Sequence, residues 1–325
     1  MITGCAIILE NDILYCSNEN KYTTFEIILF IEKLLSAINP KQTWRLNSIY
    51  LEGYSMGKER IVIKHIVTKN NQNLFYCISG NFTAGSREAF NMLEEFYEKV
   101  NANYKTTELL KESSRKPIFK EIIETIMDYL WDKYENLLKE EEIQQDVGVS
   151  IKSKIIYCGI SIQGLPIISQ LYDKTLLSNI DKEINDENIE LYTSNLSAGL
   201  ATIAMNILIR AKNSIKEIHI CDLEEKETKK IILYGDINEM DTSLKLLYIS
   251  SKTRAPLRYS LDFFASGDFY KLKEVFEQLK NELSKEECLQ EKFSGDLKPY
   301  RNLQKYFDEI AIIEELKEEP RDGRR

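Results

Sequence analysis

The sequence predicts a protein of the α/β class, built as two layered α+β domains, and three observations predict it. Apolar runs of strand length are joined by short polar turns. Segments with helical spacing of apolar residues alternate with those runs. The order of runs and helices in the first half then recurs in the second. Length agrees, because 325 residues exceed what one core usually serves, and a prior of roughly 150 residues per domain gives two.

Residues 2–9 and 13–17 are apolar runs joined by Asn11-Asp12, residue types that tolerate a tight hairpin turn. With that turn, residue i faces residue 23 − i, so Cys16 faces Ile7 and lies diagonal to Cys5, roughly 7–8 Å away. A helix over Phe25–Ile38 follows. Thr23 with Glu26 three residues on forms a capping box, and Pro40 stops the helix. Three strand-like runs come next, Arg45–Glu52, Glu59–Thr68 and Asn73–Ser79, separated by the turn-like 54–58 and 70–72. A helix from about Ser86 to Val100 and another opening near Pro117 complete the half. In the latter, Ile118, Ile122, Ile126, Leu130, Tyr134 and Leu137 share one face.

The polar stretch Lys139–Gln145, with its three consecutive glutamates, reads as a helix end and linker. The pattern then restarts. Residues 153–162 and 165–171 flank a turn at Gln163-Gly164, and Pro166 marks the second of these strands as a sheet edge, because proline donates nothing to a ladder. After a polar insertion at 173–188 come a helix at about Thr193–Lys212 and strands at Ile215–Leu223, Lys229–Asp236 and Ser243–Ser250. Phe269, Leu272, Phe276, Leu279 and Leu283 mark a closing helix with Asp268 as its N-cap. The expected division is 1–140 for the first domain, 141–152 for a linker and 153–286 for the second domain. An amphipathic helix and tail occupy 287–325, with Tyr300, Leu303, Phe307, Ile310, Ile313 and Leu316 either packing back on the body or awaiting a partner.

Composition narrows the function. Lys and Arg number 43 against 52 Asp and Glu, a net charge of −9, which argues against a nucleic-acid footprint or a polybasic membrane patch. Two histidines leave little from which to build a zinc hydrolase. His65 and His219 each sit inside a strand pattern, and packed or surface strand positions are the simpler account of both. The six cysteines include no Cys-x-x-Cys pair and read as small core hydrophobes with free thiols in a reducing cytosol. Met1–Glu10 lacks the basic start of a secretory leader, and no window approaches about 18 uninterrupted apolar residues. A cytoplasmic protein, at most peripheral to membranes, is expected.

Chemistry-bearing motifs are missing from the sequence. Neither phosphate-cradling glycine loop occurs, and Gly-x-Ser-x-Gly is absent. The stretches Asp236–Leu247 and Asp181–Tyr192 resemble calcium loops but lack the central glycine, and Leu247 stands in the first where a bidentate glutamate is needed. The basic run Ser251–Arg258 could hold a phosphate or an acidic partner, although a loop after the fifth strand accounts for it more simply. No catalytic residue, cofactor site or metal site is assigned.

The order β-β-α-β-β-β-α-α, carried by Ile2–Cys16, Phe25–Ile38 and Arg45–Ser79 and repeated over Lys154–Leu171, Thr193–Lys212 and Ile215–Ser250, resembles the longin domain and its relative the roadblock/LC7 domain. The resemblance covers about 1–140 and 150–286. It is topological, since longin domains carry no diagnostic short motif, and no functional residue transfers one for one. It implies a five-stranded antiparallel sheet of order 2-1-5-4-3 in each half, with the first helix on one face and later helices on the other. It also implies platforms formed by pairs of such domains.

Both first helices carry more apolar residues than one sheet needs. In the first, Ile27, Ile28, Ile31, Leu34, Leu35 and Ile38 suit the sheet, leaving Phe25 and Leu29; in the second, Leu196, Leu200, Ile203 and Ile207 suit it, leaving Ala198, Ala201, Met205 and Ile209. These six leftover residues are the candidate interface, unless the insertion or the tail covers them. The resemblance implies a non-enzymatic platform that binds a small Ras-like GTPase or other longin/roadblock-type subunits, as a scaffold or nucleotide-exchange component in membrane trafficking. The alternatives are a structural subunit of a coat, tether or adaptor complex without GTPase binding, and, more remotely, a small-molecule sensor or enzyme.

Overall fold

The computed structural model describes residues 2–39, 43–53, 57–83, 85–143, 154–162, 165–172, 186–211, 213–223, 227–235 and 259–266. The protein is mixed α/β and falls into two compact units. The first comprises 1–37, 42–149 and 207–224; the second comprises 38–41, 150–206 and 225–325.

The first unit holds six antiparallel strands: β1 (Ile2–Leu9), β2 (Asp12–Cys16), β3 (Trp44–Gly53), β4 (Gly57–Val67), β5 (Asn73–Gly80) and β8 (Asn213–Asp222). Their spatial order is β2-β1-β5-β4-β3-β8. Helix α1 (Tyr22–Ile38) lies between β2 and β3 in sequence; α2 (Arg87–Asn103), α3 (Thr107–Ser113) and α4 (Pro117–Ile143) follow β5. The middle strands β1, β5 and β4 are buried on both faces, which requires helical cover on each. Cys5, Ile7, Leu9, Val62, Tyr76 and Ile78 face one way and form a core with Met92, Phe96, Phe119, Ile123 and Leu130 of the later helices. The alternate residues Ala6, Ile8, Ile61, Ile63, Phe75 and Cys77 are buried on the opposite face. On that face lies α1, whose Glu32 reaches His65, the cross-strand partner of Phe75. Its Phe25, Ile28, Ile31 and Leu35 are all buried.

Several local expectations are corrected. In the β1–β2 hairpin Leu9 pairs with Asp12, so the turn is Glu10-Asn11, and Glu10 takes the left-handed φ of 56° that a two-residue turn needs. A bulge between Ile7 and Ile8 then sets Cys16 opposite Ala6, not Ile7. The Thr23–Glu26 capping box does not form, because the helical path starts earlier. A 3₁₀ turn at Glu19–Lys21, capped by the Asn18 side chain accepting from the Asn20 amide, runs straight into α1 at Tyr22. In α4 the buried face is Phe119, Ile123, Ile126, Leu130 and Tyr134, while Ile118 and Leu137 are 55% and 40% exposed. Pro117 opens that helix as expected, and α3 was not foreseen.

The second unit holds β6 (Lys154–Ile162), β7 (Leu165–Leu171), β9 (Glu227–Gly235) and β10 (Tyr259–Ser266) in the order β9-β10-β6-β7, and most of α5 (Asp186–Ala211). Strand β7, which carries Pro166, is the outer strand of this row. The strand that pairs with both β6 and β9 is 259–266; the expected strand at 243–250 lies outside the described residues, as do 251–258, the closing helix at 269–283 and the tail at 287–325. Leu196, Leu200 and Ile203 of α5 are buried. Gly159 is required where it stands, since a Cβ built there would overlap the hydroxyl of the fully buried Tyr157.

One contact ties the end of α4 to the start of α2. Ser86 caps α2, its side chain accepting from the Ala89 amide at 3.1 Å. Glu141 of α4 accepts from the Arg87 amide at 2.6 Å and from the Ser86 hydroxyl. A carboxylate there satisfies free amides and meets the positive end of the helix dipole. Replacing Glu141 with Ala is expected to lower stability by about 1 kcal/mol, read as a shifted urea midpoint; an unchanged midpoint would show that the contact contributes nothing.

Candidate functional site

The features that position a binding surface are the way α1 is held on its sheet and the way β3 is completed. Two polar anchors hold α1. At its N-terminal end Lys21 forms an ion pair with Glu59 of β4, Nζ–Oε2 2.6 Å, with side-chain exposures of 6% and 7%. Lys21 also donates to Oε1 at 2.8 Å, and the Thr3 hydroxyl donates to the same oxygen. Thr3 and Ser79 hydroxyls are 2.9 Å apart. The lysine stem passes where Gly4 has no side chain, its Cγ 3.6 Å from the position a Cβ would take. Burying an ion pair this deeply is tolerable only because its atoms are supplied with further hydrogen bonds.

The second anchor, mid-helix, is Glu32 against His65 of β4, Oε2–Nδ1 3.5 Å. His65 Nε2 is 3.0 Å from Asn73 Oδ1, and its ring lies on Phe75 with centroids 4.3 Å apart. Burial pushes the Glu32 carboxyl up to about 7 and the His65 imidazole down to about 4. The sequence marks His65 as a strand residue, and nothing local joins it to Glu32, 33 residues away.

Strand β3 is completed by β8. Leu46 pairs with Ile220, Ile49 with Ile218 and Leu51 with Ile215, all six fully or almost fully buried. The spacings 46-49-51 and 215-218-220 are not strictly alternate. A bulge between Leu46 and Ser48 and another between Tyr50 and Leu51 shift the register, so that apolar residue still meets apolar residue. Lys216 and Glu52 add an ion pair at 3.3 Å. Strand β8 falls within the 153–286 expected for the second domain, yet it belongs to the first compact unit.

The expected interface residues are placed as follows. Phe25 is fully buried, and Leu29 and Ala198 are half-buried. Ala201, Met205 and Ile209 lie within α5, but their side chains are outside the described residues. The outward side of α1 carries Tyr22, 46% exposed, with exposed Glu26 and Lys33 and half-buried Leu29 and Phe30. Tyr22 and Phe30 were not singled out beforehand, although their spacing from Glu26 and Lys33 marks that same side.

No cluster of His, Cys, Asp or Glu among the described residues could hold a metal ion. Cys5, Cys16, Cys77 and Cys221 are free thiols. Burial pushes Cys5 up to about 12 and raises Cys16 and Cys77 as well, so these three are not thiolates at neutral pH. A shallow cleft of about 560 Å³ between α2 and α4 is lined by Glu94, Glu95, Glu98, Lys99 and Lys133 among others. Glu95 there takes Lys133 at 2.6 Å and the Tyr134 hydroxyl at 3.0 Å, and Glu94 pairs with Lys64 of β4. Among the described residues no helix is long and apolar enough to cross a membrane.

Comparison with protein families, with curated proteins and with solved structures finds no match to this chain.

The Lys21–Glu59 anchor has a direct test. Lys21→Met alone strands a buried carboxylate and is expected to cost about 3 kcal/mol, whereas the double variant Lys21→Met/Glu59→Leu recovers most of that loss. Denaturant unfolding of the four proteins in the cycle measures both. Equal stabilities for the single and double variants would deny the pair its role.

Proposed function

We propose that the chain is a non-enzymatic interaction platform of the tandem longin-like kind, binding a small Ras-like GTPase as a scaffold or nucleotide-exchange component in membrane trafficking. The observation that carries this reading is the pairing of the first five strands. Their order, β2-β1-β5-β4-β3, with α1 on one face and α2 and α4 on the other, is the arrangement that the resemblance to longin and roadblock domains implies. The order β-β-α-β-β then recurs from β6 to β9. The pairing of β3 with β8 sets the third strand of one repeat against the third strand of the other, which suits a platform built from two such domains.

On this reading α1 presents the binding surface. Buried anchors fix its inner side, and Tyr22, Leu29 and Phe30 give its outer side apolar area flanked by Glu26 and Lys33. Ala198, Ala201, Met205 and Ile209 of α5 are the corresponding candidates in the second repeat. Exchange on such a platform needs no covalent step. Tighter binding of the nucleotide-free GTPase than of its loaded forms shifts the GTPase toward the empty state.

Titration of a panel of small Ras-like GTPases, each in GDP-bound, GTP-bound and nucleotide-free form, tests the proposal. Binding in at least one state is expected, weakened about tenfold or more by Leu29→Glu on the outer side of α1. Failure of every GTPase in every state to bind overturns it.

A further inference from the structure

Glu32 and His65 meet in a setting that decides where their proton sits. The side chains are 12% and 0% exposed, and Glu32 Oε2 makes no hydrogen bond among the described residues. Its other oxygen accepts from Ser36 at 3.1 Å. Two contacts define the imidazole. Nε2 faces Asn73 Oδ1 at 3.0 Å and therefore carries a hydrogen. Nδ1 faces the Leu46 amide, which points its N–H at that nitrogen from 3.4 Å, so Nδ1 presents a lone pair. The ring is thus the neutral Nε2–H form. A carboxylate at Glu32 would set negative charge against that lone pair inside an apolar layer, whereas a carboxylic acid brings no charge there. An ion pair would need a hydrogen on Nδ1, opposed to the Leu46 N–H.

Arg45 of β3 lies close enough to act on both partners: its positive charge disfavours an imidazolium at His65 but favours a carboxylate at Glu32, where burial is the larger effect and keeps the acid protonated; its Nη1 donates to the Trp44 carbonyl at 2.9 Å. From β8, Cys221 faces Arg45. On β5 the group in contact is Asn73, and on α1 Lys33 is exposed.

We infer that Glu32 is a carboxylic acid packed beside a neutral Nε2–H imidazole of His65, an uncharged pair that holds the middle of α1 on the sheet as a latch and loosens when the Glu32 proton leaves. The direction with pH follows from proton counts. Between about pH 4.5 and 6.5 the unfolded chain carries one proton on the histidine and the folded chain carries one on the glutamate, so stability is flat with respect to this pair. Above that window the unfolded pair holds none while the folded pair still holds one, up to about pH 7, and stability falls as pH rises. Below about 4.5 the unfolded pair holds two and the folded one, and stability falls as pH drops toward 4. The latch is therefore tightest in mild acid and weakened, by roughly threefold in the folding equilibrium, on the alkaline side of neutrality. It rests on geometry within the first unit and is independent of the GTPase reading.

Long-range proton–nitrogen NMR of the two histidines reads the pair directly in the full chain, with His219→Gln giving the assignment. Across pH 5–8 the His65 ring is expected to remain the Nε2–H form, while its Nδ1 resonance steps with a midpoint near 7. Glu32→Gln is expected to abolish that step and leave the tautomer unchanged. Amide exchange in α1, corrected for the intrinsic effect of pH, should accelerate above pH 7 in the wild type and not in Glu32→Gln. An imidazolium at pH 5–6 overturns the inference, as does the absence of a step or a step that survives Glu32→Gln. Unchanged α1 exchange on both sides of pH 7 removes the latch. The wild-type titration decides the protonation state even if the variant does not fold.

Discussion

A strand whose apolar residues are buried cannot leave one row of backbone donors and acceptors without partners. Strand β3 is such a strand: β4 satisfies one side, and β8, some 160 residues later in the chain, satisfies the other. The pairing matches Leu46, Ile49 and Leu51 with Ile220, Ile218 and Ile215, joining backbone completion to apolar burial in a single register. Everything proposed about a two-repeat platform depends on that register. Two bulges maintain it; without them Ile215 of β8 and Leu46 of β3 would turn to the face opposite the other two apolar residues of their strands.

Inside that frame α1 is fixed by polar contacts as well as apolar ones. Its five buried apolar side chains, Phe25, Ile27, Ile28, Ile31 and Leu35, give adhesion without direction. The Lys21–Glu59 pair and the Glu32–His65 pair lie 11 residues apart, about three helical turns, and both reach β4. Together they set the position of the helix along the strand, which in turn decides that Tyr22, Leu29 and Phe30 share the outer side. The later helices are held differently, by a mainly apolar core with Tyr76 edge-on to Phe96 and by Glu141 closing the start of α2.

Much of the first unit was legible in the sequence because its signals are local. Apolar alternation marked β3, β4 and β5 to within two residues, and Pro117 marked the start of α4. What escaped depends on single residues or on distance. The left-handed Glu10 moved the first turn by one position and Asn18 moved the first cap, each a choice among several polar residues of equal turn propensity. The α4 face was misread by one residue because Ile118, Phe119, Ile122 and Ile123 satisfy helical spacing on two adjacent stripes, and only packing chooses between them. Of the candidate surface, Leu29 was seen from its excess over one sheet's needs. The Glu32–His65 pair and the β3–β8 pairing were not seen, since neither leaves a mark within any short window.

The central claim, that β3 is an interior strand completed by β8, is tested most directly by amide hydrogen exchange resolved to single residues. The account predicts that the β3 amides turned toward β8 exchange as slowly as those turned toward β4, and that Ile218→Pro, which bars β8 from pairing at its centre, accelerates the first set selectively. Fast exchange of the β8-facing amides in the wild-type protein, at the rate of an open sheet edge, would contradict it.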